Sequence, residues 1–254
     1  MNPVFVTVLA FVCIFGGAVL GMLLRGVLPE HHISEASKDV IKVAIATVAT
    51  LAALVLGLLV SSAKTSFDTK ENELRGSSAR LILLDRTLAA YGLEAKGARD
   101  LLRQTIALRL RQIWPESGDD ATVVKAIGQG AGIEAVQRSI LELSPKNDTQ
   151  QWAKSAALKI VSDVAAARWV LFEQTSSVLQ WPFLVILIFW LVVIFGSFGL
   201  FAPRNASVVV ALIVAGLSMA GSIYLVLELD QPYDGLIKIS SYPLRMALDQ
   251  LGKP

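Results

Sequence analysis

The feature that most constrains this chain is a set of four long apolar stretches without a single charge. Each lacks Lys, Arg, Asp and Glu and comes close to the roughly 20 residues that cross the hydrocarbon core of a bilayer. The stretches are Val4–Leu24, Ala44–Ser62, Pro182–Phe201 and Val208–Leu227. They raise the hydrophobic fraction of the 254 residues to 54% and leave 17% charged, which excludes an ordinary soluble enzyme.

The segment between the second and third stretches has a different composition. Residues 63–180 hold 16 Lys or Arg and 14 Asp or Glu, which makes 30 charges in 118 residues, close to the soluble norm of about 25%. We therefore predict an all-α membrane protein with four transmembrane helices and one inserted domain. Its parts are transmembrane helices 1 and 2 in residues 1–62, a helical domain in 63–178, transmembrane helices 3 and 4 in 179–229, and a C-terminal tail in 230–254.

Apolar periodicity predicts that the inserted domain is a bundle of about four helices. The residues that recur at helical spacing are Leu81, Leu84, Leu88 and Tyr91, and then Ile133, Val136, Ile140 and Leu143. No Pro interrupts the chain from Val40 to Leu74, so the second span is predicted to continue out of the membrane as one helix. The third span is predicted to have a similar extension on its N-terminal side.

Small residues on two of the spans predict close packing between membrane helices. They are Gly17 and Gly21 on the first span, and Ala211, Ala215, Ser218 and Ser222 on the fourth.

Lys and Arg near the span ends predict the orientation, because cytoplasmic loops carry an excess of them. Seven lie on the side of the inserted domain and four lie on the opposite side. The seven are Lys64, Lys70, Arg75, Lys159, Arg168, Lys238 and Arg245, and the four are Arg25, Lys38, Lys42 and Arg204. We therefore predict a multi-pass protein of the cytoplasmic (inner) membrane, with both termini and residues 63–178 in the cytoplasm.

No motif in the chain indicates an enzyme. There is no phosphate-binding G-x-x-x-x-G-K-[ST] loop, no G-x-S-x-G nucleophile motif and no H-E-x-x-H zinc motif. Gly128, Gly130 and Gly132 follow no predicted strand, which argues against a dinucleotide site. Adjacent His31 and His32 lack a third zinc ligand, so they are interpreted as solvated loop residues, with a pH response as the alternative. We predict no catalytic residue, metal, cofactor or nucleic-acid partner.

The second span carries a stripe of mostly small and polar residues. At 100° per residue, the stripe falls within one sector of about 100°. Its candidate pore-lining members are Thr47, Thr50, Leu54, Gly57, Ser61, Lys64, Thr65, Asp68, Asn72 and Arg75. Such a stripe could line a hydrated ion pathway with charged rings at its mouth, or it could allow close packing of membrane helices.

Three carboxylates form an acidic cluster at the end of the fourth span. They are Glu228, Asp230 and Asp234, beside the helix-ending Pro232 and Gly235. The spacing of a calcium loop is missing, which favours ion pairs with Lys or Arg over a Ca²⁺ site. Glu228 lies closest to the hydrocarbon, where an unpaired carboxylate is costly.

Four stretches resemble those of the bacterial bestrophin-like membrane proteins. The first two are Leu56-Gly57-Leu58-Leu59 with Ser66-Phe67-Asp68, and Leu84-Asp85-Arg86 with Tyr91-Gly92. The other two are Phe198-Gly199-Leu200 with Ala202-Pro203-Arg204-Asn205, and Glu228-Leu229-Asp230 with Pro232-Tyr233-Asp234-Gly235-Leu236-Ile237. The resemblance implies kinship with bestrophins, which are pentameric anion channels with a pore lined by the second span and its cytoplasmic continuation. The aromatic-rich neck of animal bestrophins has no counterpart here beyond Phe67.

The stripe and the resemblance together lead us to expect a homo-oligomeric ion channel. Its expected partners are the lipid bilayer, further copies of the chain and inorganic ions, with the pentamer implied by resemblance alone. The alternative is a non-conducting, membrane-anchored interaction or stress-response scaffold whose helical domain binds a cytoplasmic partner. The helix that faces the oligomer axis would discriminate between the two.

Overall fold

Helices account for all the regular secondary structure in the described part of the chain. A computed structural model describes residues 2–26, 35–115, 132–173, 181–203, 205–233 and 235–253. The α-helices are α1 Pro3–Leu24, α2 Glu35–Tyr91, α3 Lys96–Ile113, α4 Ile133–Leu141, α5 Asp148–Glu173, α6 Trp181–Phe201, α7 Ala206–Leu229 and α8 Tyr242–Gln250. A short 3₁₀ helix, Leu93–Ala95, precedes α3. The predicted all-α fold is confirmed for these residues.

Each of the four apolar stretches lies in a helix that is long and apolar enough to cross a membrane. These helices are α1, α2, α6 and α7. The second stretch continues without a break, because α2 is one helix of 57 residues. The helix predicted to extend the third stretch on its N-terminal side is present as α5, and its junction with the span, residues 174–180, lies outside the described residues. The pair His31 and His32 and the glycines at 128 and 130 lie outside them as well.

The chain divides into two compact units. The first unit comprises Met1–Phe67, Ser177–Gln231 and Gly235–Ile237. The second unit comprises Asp68–Ser176, Pro232–Asp234 and Lys238–Pro254. Helix α2 therefore contributes its N-terminal part to the first unit and its C-terminal part to the second.

In the first unit, α1 packs against α6 and α7. Glycines allow a close backbone approach: a Cβ on Gly17 would lie 2.7 Å from the carbonyl oxygen of Val192 on α6. A Cβ on Gly21 would collide with the backbone at Gly196, and one on Gly199 would collide with the carbonyl of Ala18. The packing predicted for Gly17 and Gly21 is confirmed. Such contacts matter in a membrane, where lipid tails are as apolar as Leu and helices associate mainly through close packing.

The face of α7 that packs is different from the one predicted. Its buried residues include Leu212, Gly216, Ala220 and Ile223. The predicted small-residue face is largely unburied, with Ala211 and Ser218 exposed and Ala215 and Ser222 half-buried. The expectation for this face was wrong within one chain, because the packing follows a row of mixed size on another side of the helix. At the start of α7, the side chain of Asn205 accepts a hydrogen bond from the backbone N–H of Val208 at 2.9 Å and caps the helix.

The second unit has an ordinary hydrophobic core, formed by α3, α4 and the parts of α2, α5 and the C-terminal segment that pack against them. Both predicted apolar repeats lie in it: Leu84, Leu88, Val136 and Ile140 are fully buried. The helical periodicity therefore identified the core faces of two of its helices correctly.

The C-terminal segment, which the sequence predicted as a tail, contributes to this core. Leu244, Ala247 and Leu251 of the α8 region are buried, at 4%, 0% and 2% exposure. The indole N–H of Trp114, after α3, donates to the carbonyl of Ile239 at 3.1 Å. The Trp114 ring also meets Tyr233 edge to face, with centroids 5.9 Å apart. These contacts fix the segment onto α3.

Candidate functional site on the second helix

The apolar part of α2 is almost unburied within its own chain. Only 6% of its apolar window is buried, against 33% for α1, 33% for α6 and 22% for α7. Leu54 and Leu58 are 66% and 65% exposed. Such a continuous apolar surface needs lipid or another protein surface to cover it.

The predicted stripe lies on the side of α2 that the first unit leaves uncovered. All seven stripe residues of this unit are exposed: Thr47, Thr50, Leu54, Gly57, Ser61, Lys64 and Thr65. The buried residues of the same part of α2 include Ala52, Ala63 and Phe67. At about 100° per residue, they lie roughly 140° around the helix from the centre of the stripe. The few buried residues of this part of α2 therefore lie away from the stripe, whose residues in this unit are all exposed.

The stripe threonines bond to their own helix. The hydroxyl of Thr47 donates to the carbonyl of Val43 at 3.1 Å, and that of Thr50 donates to Ala46 at 2.9 Å. Thr65 does the same to Ser61 at 2.8 Å. Because these protons point into the helix backbone, the hydroxyls present oxygen lone pairs outward. A hydroxyl oxygen in this state accepts hydrogen bonds from water or coordinates a cation.

Lys64 lies where the first unit's part of α2 ends. Its ammonium is 5.5 Å from the centroid of the Phe67 ring, within range of a cation–π contact. Phe67 is itself 7% exposed. The stem of Lys64 is therefore drawn toward the side of the helix that carries the buried aromatic ring.

The second unit's part of the stripe is short and charged. Asp68 is half-buried, and Asn72 and Arg75 are exposed. Arg75 donates from Nη2 to Oε1 of Glu71 at 2.6 Å, as an i, i+4 pair with side chains 62% and 30% exposed. An exposed pair of this kind contributes only about 0.3–0.5 kcal/mol to stability. Its electrostatic consequence is larger, because each copy then adds a dipole to the stripe instead of a lone positive charge.

At the end of α7, Glu228 of the acidic cluster is buried and bonds to the backbone of the turn that follows the helix. Glu228 is 2% exposed, and its Oε1 accepts from the backbone N–H of Leu236 and, at 3.3 Å, from that of Ile237. Gly235 has φ +90°, and a Cβ there would collide with the Glu228 carboxylate.

Among the described residues, the hydrogen bonds to Glu228 come from backbone N–H groups, where an ion pair with Arg or Lys was expected. Asp234 lies outside the described residues. Among the residues that are described, no group of three or more His, Cys, Asp or Glu side chains could hold a metal ion.

A second buried carboxylate fastens the C-terminus inside the second unit. Asp85 is 1% exposed and receives Nε and Nη2 of Arg99 at 2.8 and 2.9 Å. The backbone N–H of Gly252 donates to the same carboxylate at 3.2 Å, and Arg99 also reaches the carbonyl of Lys253 at 2.8 Å. The hydrogen bonds that Arg99 donates to Asp85 raise the pKa of Arg99, so this guanidinium stays charged.

The family relationship follows from a match over most of the chain. The model of the family described as Bestrophin-like domain covers residues 12–244. The chain belongs to the bestrophin-like family. No curated protein and no solved structure matches it with significance. The matched region contains the α2 stripe, the Asp85 pair and the Glu228 turn, and the resemblance inferred from the four sequence stretches is confirmed.

Family membership and the four apolar helices together support a membrane protein. Two residues of its sites were missed by sequence reasoning. Glu71 had a recognisable signal, since Glu four residues before Arg predicts an ion pair on a helix. Arg99 had none, because it lies 14 positions after Asp85, across a turn and a 3₁₀ helix.

Proposed function

We propose that this bestrophin-like protein is a homo-oligomeric ion channel of the cytoplasmic membrane, with the exposed stripe of α2 surrounding the axis. The supporting observation is that the apolar part of α2 is 6% buried in its own chain while its small, hydroxylated face points away from the buried side. The part of α2 that its own chain leaves uncovered has to be covered by lipid or by other copies. Lipid would gain little from Thr and Ser hydroxyls, so this face turns toward an aqueous axis.

The proposed pathway passes Thr47, Thr50 and Ser61, and then a charged mouth. At the mouth each copy contributes Lys64 and Arg75 as cations and Asp68 and Glu71 as anions, which sum to a charge of zero. No catalytic step is part of the proposal. The remaining features of the proposal are a pentameric assembly and the topology predicted from the Lys and Arg distribution, with residues 63–178 and both termini in the cytoplasm.

A matched pair of substitutions tests the pore. Ser61 belongs to the stripe and Ser62 does not, although both are exposed. In planar bilayers, we expect Ser61→Leu to lower single-channel conductance severalfold, because a large apolar side chain would dehydrate the pathway. The same change at the neighbouring position, Ser62→Leu, should leave conductance near the wild-type value.

Cysteine accessibility gives an independent readout. Cys13 is the single Cys of the chain, so Cys13→Ser supplies a background without thiols. In that background a water-soluble thiol reagent should block current through Ser61→Cys and not through Ser62→Cys. Correctly assembled oligomers that carry no current, or equal effects at the two positions, would overturn the proposal and favour the scaffold alternative.

The paired charges at the mouth can be tested by reversal potential in a KCl gradient. Glu71→Gln should shift the potential toward anion preference and Arg75→Gln toward cation preference, because each leaves one unpaired charge per copy. The double substitution restores neutrality and should return the potential close to that of the wild type. A double variant that behaves like either single variant would contradict the pairing.

A further inference from the structure

The core of the second unit contains a cavity that close packing leaves unfilled. It measures about 120 Å³, which is a large void for a protein interior that normally holds few spaces bigger than a water molecule. Its walls are mainly aliphatic, with Leu81 from α2, Ile106 from α3, Ile133 from α4, Val164 from α5 and Leu244 from the C-terminal segment. The cavity lies entirely among residues of this one unit.

One polar atom in the cavity wall has no partner. The Oγ1 of Thr105 is fully buried and makes no hydrogen bond with any of the described residues, and Thr105 as a whole is 6% exposed. A buried hydroxyl without a partner is uncommon in native proteins and calls for a physical reason. On helices, Thr usually bonds back to its own backbone, as Thr87 does to Leu83 at 2.8 Å in the same unit.

The lining of the cavity favours a mostly apolar ligand over water. An ordered internal water needs about two to four polar partners. Besides Thr105, the polar lining residues are Ser77, Arg109, Gln112 and Tyr233, and the rest of the wall is mainly aliphatic, so an apolar body contacts more of it than water does. A cavity of about 150 Å³ accepts a benzene-sized molecule, so about 120 Å³ suits a single small ring or a chain of a few carbons.

We propose that this cavity is a binding site for a small, uncharged and mostly apolar molecule that carries one hydrogen-bonding group, with Thr105 as the residue that recognises that group. The aliphatic wall would hold the body of the ligand and the Thr105 hydroxyl would hold its polar group. Arg109 and Tyr233 also line the cavity and add polar groups to one part of its wall. The proposal does not depend on ion conduction.

The probe is 4-fluorophenol, compared with fluorobenzene, which has a similar shape and lacks the hydroxyl. Binding to the full-length protein in detergent is followed by ¹⁹F NMR. The wild type should bind both probes saturably. Thr105→Val keeps the side-chain shape and removes the hydroxyl, so it should weaken 4-fluorophenol by roughly fivefold to tenfold and leave fluorobenzene within about twofold.

Filling the cavity is the second arm of the experiment. Val164→Phe should abolish saturable binding of both probes. If this variant does not fold, Ser77→Leu fills the cavity from α2 and should also abolish binding. Ser162→Phe places the same ring on an exposed position of α5 and should bind like the wild type. Equal binding by the filled variants and the wild type would show that the probes sit elsewhere or in detergent, and this would overturn the site. Absence of saturable binding in the wild type would overturn it as well.

Discussion

Removing the carboxylate of Asp85 should release the C-terminal segment from the second unit. The carboxylate is 1% exposed and accepts three hydrogen bonds, two from Arg99 and one from the Gly252 backbone. Breaking a buried ion pair by removing one partner costs about 3–5 kcal/mol. Because Arg99 is 17% exposed and keeps its bond to the Lys253 carbonyl, we expect the lower end of that range for Asp85→Ala.

Hydrogen exchange of the full-length protein measures this loss where it occurs. A change of about 3 kcal/mol in local opening corresponds to roughly 150-fold faster exchange, at 1.4 kcal/mol per factor of ten. The amides of α8 and the residues after it should show this acceleration in Asp85→Ala. Arg86→Gln is the matched control, because Arg86 is exposed and its bond to the same C-terminal carbonyl is long, at 3.4 Å. It should change exchange by less than about threefold, as most surface substitutions do.

The same experiment can refute the reasoning. If exchange in α8 rises less than threefold in Asp85→Ala, the ion pair does not hold the segment.

Raising the pH could not replace the substitution of Asp85 as a way to break the ion pair. The pKa of Arg99 is raised above its ordinary value, so its stabilising charge is fully present below that value and is lost only as pH rises through the raised pKa. That range lies beyond the pH at which proteins are normally studied.

Three further predictions concern packing, a turn and a phenol. Gly199→Leu should lower the melting temperature of the protein in detergent by many degrees, because its side chain would collide with the backbone of α1, whereas Gly16→Leu, with open space around it, should not. Gly235→Ala should destabilise by more than about 1 kcal/mol in chemical unfolding, because φ is +90° and a carboxylate occupies the position of the new Cβ, and Gly221→Ala serves as the control. Burial raises the pKa of Tyr233 above 10, although the nearby Arg109 opposes the shift. The contribution of the neutral phenol to stability is therefore present below pH 10 and lost as pH rises through the raised pKa. Tyr233→Phe should flatten the decline in melting temperature above pH 10.

Sequence reasoning succeeded best in the second unit, where contact with water on one face of a helix distinguishes that face from the buried one. Leu84, Leu88, Val136 and Ile140 repeat with helical spacing because their opposite faces are solvated, and all four are fully buried. The short helix α8 also has buried residues at helical spacing, but the pattern was too short to predict its place in the core. Leu244, Ala247 and Leu251 have helical spacing, but a run of nine residues is too short to distinguish a core helix from a tail.

In the apolar helices of the first unit, the distribution of residue types is a weaker guide to the packed face. On α7, both the predicted face with Ala211 and Ser218 and the packed face with Gly216 and Ala220 contain small residues. Lipid accepts either face, so composition alone does not show which one meets α1. The partners of Glu228 were hidden for another reason, since two of its donors are backbone N–H groups that every sequence contains. Pro232 and Gly235 were the residues that indicated a turn.

The charges of α2 argue that the sign of a conducted ion would not be set at the mouth of the proposed pore. Lys64 and Arg75 are balanced by Asp68 and Glu71, and Arg75 is bonded to Glu71 at 2.6 Å. A neutral ring produces a field that falls off faster than that of a net charge, so discrimination moves to groups that an ion touches directly. Along the stripe those groups are Thr hydroxyls whose protons point to backbone carbonyls. To hold an anion, they would have to break these bonds and turn their protons outward, whereas a cation meets the lone pairs as they stand. In the proposed pore we therefore expect the stripe to favour cations, in contrast to the anion selectivity that kinship with bestrophins implies.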